Sequence, residues 1–102
     1  MWARWWRSWF RPRLPGVRVV VYSRSVCPLC NEAKEFLNEQ QRRLGFQLQE
    51  IDVDSDADLQ ARHGEWAPVV EVNGKVHFRG SINAMLWSRL VRALARLRDG
   101  ST

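Results

Sequence analysis

The feature that most limits what this chain can fold into is the junction Tyr22-Ser23-Arg24-Ser25-Val26-Cys27-Pro28-Leu29-Cys30. A strand-forming run stops there and a helix-forming run begins, and both cysteines of the protein lie inside it. Two thiols three positions apart at the start of a helix share one face within bridging distance, so a local disulfide can close with little backbone movement. The first N–H groups of a helix lack intrahelical acceptors and, with the macrodipole, favour an anion. A thiol placed there loses its proton more readily than a free cysteine, which makes Cys27 the expected thiolate. Pro28 suits the first turn because it has no N–H to leave unsatisfied and its φ is already helical. Arg24 adds positive charge three residues upstream. Cys30, one turn deeper, is expected to keep its proton until it serves as the resolving thiol. A C-x-x-C pair can also supply half of a zinc site, but zinc needs four ligands. The other soft candidates, His63 and His77, are too far apart in sequence for the usual H-x₃₋₅-H spacing.

Composition narrows the function classes. A chain of 102 residues with 45% hydrophobic residues has the composition of one ordinary globular domain. Its net charge of +5 is unevenly placed: residues 1–16 hold Arg4, Arg7, Arg11 and Arg13 and no acid, which leaves the rest at +1. A nearly neutral folded part argues against nucleic acid as the partner. Two cysteines in a single motif fit a reducing compartment where disulfides are transient and catalytic, so the expected location is the cytoplasm. No apolar run approaches the roughly 18 residues that span a bilayer, and arginines interrupt the N-terminus before a secretory h-region can form.

Residues 1–16 differ in composition from the remainder and read as a tail plus linker, with the domain proper at 17–102. Trp2, Trp5, Trp6 and Trp9 follow helical spacing, with Arg4, Arg7 and Arg11 on the opposite side. Such a helix would seat its indoles at a headgroup boundary, giving peripheral contact with the inner membrane surface. Pro12 to Gly16 reads as the linker. Residues 17–22 form a β-branched strand, and 46–53 a second strand with a slip around Glu50 that should pair with the first in parallel. Between them lies a helix with Ala33, Phe36, Leu37, Gln40 and Leu44 on one face, ending near Gly45. A short helix over 54–63 should start at Asp54 or Ser55 and stop at Gly64. Val69 to Val72, Asn73-Gly74 and Lys75 to Phe78 spell an antiparallel hairpin with a type I′ turn, and His77 should be a half-exposed residue of it. A last helix over 81–99 should bury Leu86, Leu90, Val91, Leu94 and Leu97, with Trp87 at the stripe's edge and Ser81 or Asn83 as cap.

This order, with C-x-x-C opening the first helix, resembles the thioredoxin fold in its minimal glutaredoxin form, a β-α-β-α-β-β-α chain making a four-stranded mixed sheet with helices on both faces. It is similar to small bacterial glutaredoxin-like proteins that follow the cysteines with an acidic D-V-D-x-D segment, here Asp52-Val53-Asp54-Ser55-Asp56, and then G-x-x-x-P-V, here Gly64-Glu65-Trp66-Ala67-Pro68-Val69. The resemblance implies that Cys27 attacks and Cys30 resolves. It also implies that Pro68 is a cis-proline, turning the Ala67 backbone toward Cys27 to pair with an extended substrate. Where glutathione-using members carry Thr-Val before the proline, this chain has Trp66-Ala67. Where they carry Gly-Gly-x-Asp after the hairpin, it has Gly80-Ser81-Ile82-Asn83 and so no carboxylate for an ammonium group.

The expectation is therefore a thiol–disulfide oxidoreductase without a bound cofactor. Cys27 and Cys30 are its catalytic pair, and Arg24, Trp66, Ala67 and Pro68 contact the substrate. Substrates would be protein disulfides or low-molecular-weight thiol compounds, with glutathione or a thioredoxin-type reductase as reductant. Two alternatives stand beside it: a thioredoxin-fold adaptor whose cysteines are not turned over, and metal or iron–sulfur ligation through the pair.

Overall fold

A computed structural model describes residues 13–100. Their elements are β1 (Arg18–Ser23), α1 (Pro28–Leu44), β2 (Gln47–Asp52), α2 (Ala57–His63), β3 (Val69–Val72), β4 (Lys75–Arg79) and α3 (Ala84–Gly100), with 3₁₀ turns at Val53–Ser55 and Gly64–Trp66. The tryptophans at 2, 5, 6 and 9, and the membrane contact expected of them, lie outside the described residues.

The strands form one mixed sheet in the order β2-β1-β3-β4. β1 and β2 are parallel, with Arg18 opposite Gln47 and Ser23 opposite Asp52, while β3 runs antiparallel to β1 and to β4. Alternation along β1 sends Val19 and Val21 to one face, where they meet Leu37, Leu44, Phe46, Trp87 and Val91 beneath α1 and α3. Tyr22 faces the other way with Val53 and Val69, and Val20, Ile51 and Leu59 pack there. The irregular pattern near Glu50 is not a register slip: Leu48 packs on the first face and Ile51 on the second, so both sides of β2 are partly apolar. The hairpin forms as its turn chemistry requires, with Asn73 at φ 52° and Gly74 at φ 84°. Gly45, at φ 77°, ends α1 in the left-handed conformation and donates its N–H to the Gln41 carbonyl.

Four expectations are corrected. Residues 13–16 are not a free linker: Leu14 is 2% exposed within the core, and its N–H donates to the Leu44 carbonyl at 2.7 Å. The stripe on α3 is rotated, with Trp87 at its centre (4% exposed) beside Val91, while Leu86 and Leu97 are exposed. Trp87 wins because its ring packs edge-on with Phe36 and Phe46 and tilted against Phe78, and its indole N–H donates to Gln40 Oε1 at 3.0 Å. The acidic segment makes a 3₁₀ turn first, so the cap of α2 is Asp56, whose Oδ1 accepts the Asp58 N–H, and not Asp54 or Ser55. Gly64 keeps right-handed helical angles, and the chain continues through a further tight turn to Trp66. Of the two proposed caps of α3, Asn83 takes the role, its Oδ1 accepting the Leu86 N–H.

Candidate redox site

The cysteines sit where β1 hands over to α1. Cys27 is the last extended residue before the helix, and its Sγ accepts the Cys30 N–H at 3.1 Å, the position a capping oxygen usually takes. The two cysteines are joined as a disulfide, with Cα atoms 5.1 Å apart. Cys30 is completely buried and Cys27 is partly exposed, so of the two only Cys27 meets solvent. Its neighbours Val26, at 92% exposure, and Leu29 are open to solvent. The first turn of α1 carries no acid, so no helix-borne carboxylate there competes for the free amides, and Arg42 and Arg43 complement the dipole at the other end.

Behind the pair, the end of β1 is tied down by side chains that the sequence reading did not assign. Ser23 and Lys34 both donate to Glu50 Oε2, at 3.0 and 2.9 Å, joining β1, α1 and β2. The Lys34 hydrogen bond is the main cause that holds the Glu50 carboxyl below its ordinary range. On the opposite face the Tyr22 hydroxyl donates to Glu71 Oε1 at 2.8 Å, and the largely buried His63 ring lies 4.5 Å from the Tyr22 ring. Burial first, and then donation to Glu71, push the Tyr22 phenol up. Only the strand register makes these pairs visible, since Tyr22 and Glu71 are 49 positions apart.

The other residues expected at the site fall as follows. The Ala67–Pro68 bond is cis and Pro68 is fully buried. Tyr22 pairs with Val69, so Pro68 occupies the end of the sheet from which β1 leads to Cys27. Gly80 donates its N–H to the carbonyls of both Trp66 and Pro68, at 3.0 and 2.9 Å, which pins the turn. Ala67 is partly exposed and follows directly on the 3₁₀ turn Gly64–Trp66. Trp66 is 57% exposed. Arg24 does not stand free beside the thiol: its Nε lies 3.4 Å from Asp54 Oδ1, so a carboxylate shares its charge. The register that sets Ser23 opposite Asp52 brings the residues after both strands to one end of the sheet, which is why this pair forms. His77 stands on the solvent-facing side of the hairpin as an exposed strand residue. Among the described residues no three His, Cys, Asp or Glu side chains make a metal-holding group. No described helix is long and apolar enough to cross a membrane.

Known proteins resemble this chain in sequence and in fold. A glutaredoxin from Vernicia fordii is 38% identical over 65 residues, 56% of this chain and 59% of that protein, so the match spans less than two thirds of its length. The N-acetyl-S-hydroxy-L-cysteine reductase of Bacillus subtilis (strain 168) is 36% identical over 69 residues, 63% of this chain and 70% of that one. Among solved structures, a thioredoxin from Nicotiana alata superposes with a TM-score of 0.59 at 22% identity, covering 88% of this chain and 84% of its own, which establishes a thioredoxin-like fold. The family profile of the Glutaredoxin-like domain (DUF836) matches residues 18–92, from the first residue of β1 into α3. With the disulfide-linked pair at the head of α1 and the cis-proline at the head of β3, the chain belongs to the glutaredoxin-like domain family.

Proposed function

We propose that the protein is a thiol–disulfide oxidoreductase in which Cys27 attacks and Cys30 resolves. The observation that carries the reading is the asymmetry of the pair: Cys27 Sγ is partly exposed and accepts the Cys30 amide, while Cys30 is buried. An N–H aimed at a sulfur favours the thiolate, as an orphan amide at a helix start favours any anion. The reduced Cys27 thiolate attacks one sulfur of a substrate disulfide and forms a mixed disulfide, and the other sulfur leaves as a thiolate. Cys30, giving its proton to solvent, then attacks Cys27 Sγ. This expels the second substrate thiolate and leaves Cys27–Cys30 oxidised, with two electrons passed to the substrate. An external thiol reductant, glutathione or a thioredoxin-type reductase, restores the pair. The relative named for S-hydroxy-cysteine reduction supports low-molecular-weight sulfur substrates beside protein disulfides. There the Cys27 thiolate would take the place of the hydroxyl on sulfur, the hydroxyl would leave as water with a proton from solvent, and Cys30 would resolve as before. The partly exposed Ala67 and the pinned Pro68 turn support a role in aligning the substrate beside Cys27. The reading places this chemistry in the cytoplasm, where the pair can be kept reduced.

Two variants test it. Cys27→Ser should abolish reduction of a small disulfide, and Cys30→Ser should accumulate a mixed disulfide seen as a mass adduct on Cys27. Equal loss of activity in both, with no adduct in either, would refute the assignment.

A further inference from the structure

Beside the cis-proline turn lies a recess of about 380 Å³ lined by Arg62, Trp66 and Arg79. Its position follows from the fold. Trp66 ends the turn that leads directly into Ala67–Pro68. Arg79 is the last residue of β4 and stands opposite Val69, on the face of the sheet that α2 covers. Arg62 comes from α2 itself. The Gly80 N–H holds the carbonyls of Trp66 and Pro68, so two walls of the recess are fixed to the backbone that flanks the redox pair.

The chemistry of these walls is specific. Arg62 has one ion-pair partner, Asp58 at 3.2 Å, and both side chains are more than half exposed, a kind of pair that binds weakly and leaves much of the guanidinium fork open. Arg79 has no carboxylate partner among the described residues. Trp66 adds a large exposed indole to the same recess, and an aromatic surface with two guanidinium groups suits a ligand with an apolar stem and an anionic end. A recess of this size holds a small molecule, not a folded partner.

We propose that Arg62, Trp66 and Arg79 form a substrate subsite that selects low-molecular-weight disulfides carrying a carboxylate. The carboxylate lies between the two guanidinium groups and the stem rests on the indole, which presents the disulfide along the Ala67–Pro68 turn toward Cys27. The inference rests on the oxidoreductase reading above. It deepens that reading by assigning a charge preference that glutathione-type contacts do not provide in this chain, which has Asn83 where those contacts use an Asp.

The test uses three disulfides of nearly equal length: 3,3′-dithiodipropionate with two carboxylates, its neutral diamide, and cationic cystamine. The reduced full-length protein should turn over the dianion about tenfold faster in kcat/KM than the diamide, with cystamine slowest, and the preference should shrink as ionic strength rises. Arg62→Gln and Arg79→Gln should each lower the rate for the dianion severalfold and leave the diamide rate unchanged. Equal rates for dianion and diamide, or a preference that survives both substitutions, would overturn the subsite while leaving the redox reading intact. If wild-type protein reduces none of the three, the oxidoreductase reading itself fails.

Discussion

Replacing Leu14 by alanine measures whether the residues before β1 belong to the domain. Leu14 is 2% exposed and sits in the same core cluster as Leu44, Phe46, Trp87 and Val91. Its main-chain contacts, the N–H to the Leu44 carbonyl at 2.7 Å and its own carbonyl accepting the Val17 N–H at 3.1 Å, do not involve the side chain and should survive. The loss is then the transfer of a buried isobutyl group plus whatever cavity persists, a sum of about 2–5 kcal/mol for Leu→Ala. An apolar recess lined by Leu14, Pro15, Gly16, Val17, Leu94 and Arg98 adjoins the site, so water or neighbouring side chains can enter the space. That places the expected cost in the lower half of the range, about 2–3 kcal/mol. For a domain of this size the melting temperature should fall by roughly 8–24 °C. Urea unfolding followed by far-ultraviolet circular dichroism, with the disulfide intact, gives the free energy, and the m-value should be unchanged. Pro15→Ala, at an exposed neighbour, is the control and should stay within about 0.5 kcal/mol of wild type. If Leu14→Ala behaves like that control, residues 13–16 are a linker after all and the packing described above is wrong.

Two further predictions concern stability. Trp87→Phe should cost about 2 kcal/mol through the lost ring volume and the unpaired Gln40 carbonyl, whereas Leu86→Ala, on an exposed position, should cost under about 0.5 kcal/mol; the reverse order would restore the stripe that spacing alone suggests. Glu50 has a carboxyl depressed mainly by Lys34, so its contribution is present above the unfolded-state value and is lost as pH falls through the lower folded-state value. Glu50→Gln should therefore be less stable than wild type at neutral pH, with the gap closing on acidification; a gap that stays constant down to about pH 3 would show that the Lys34 and Ser23 contacts carry no charge-dependent stabilisation.

Much of the site was legible in the chain because its signals are local. Cys27 and Cys30 are three positions apart, and helix geometry alone brings their sulfurs together. Asn73-Gly74 demands positive φ at both residues, so the hairpin and its first pairs follow from the turn, while the bulge that sets Val70 opposite Phe78 does not. The alternation of Val19, Val20 and Val21 reflects a strand covered on both faces. The cis bond at Pro68 came from family resemblance and not from the residues, since nothing local separates a cis from a trans proline at the head of a strand.

What escaped sequence reading depends on partners distant in the chain. Arg24 looked like a free positive charge until the parallel register set it beside Asp54. Tyr22, Glu71 and His63 looked unrelated until β3 paired with β1. On α3, spacing allows two neighbouring stripes, and only the aromatic rings waiting on α1, β4 and Phe46 chose the one centred on Trp87. Arg62, Trp66 and Arg79 come from a helix, a turn and a strand, and the recess they line exists because a turn and a sheet edge meet there. By itself the sequence settles the elements, their order and the redox pair, because each arises from backbone geometry within a few residues. Tertiary structure alone decides which charges are paired, which helix face is buried and which side chains line the recess beside the cis-proline turn, because those outcomes depend on side chains that only the sheet brings together.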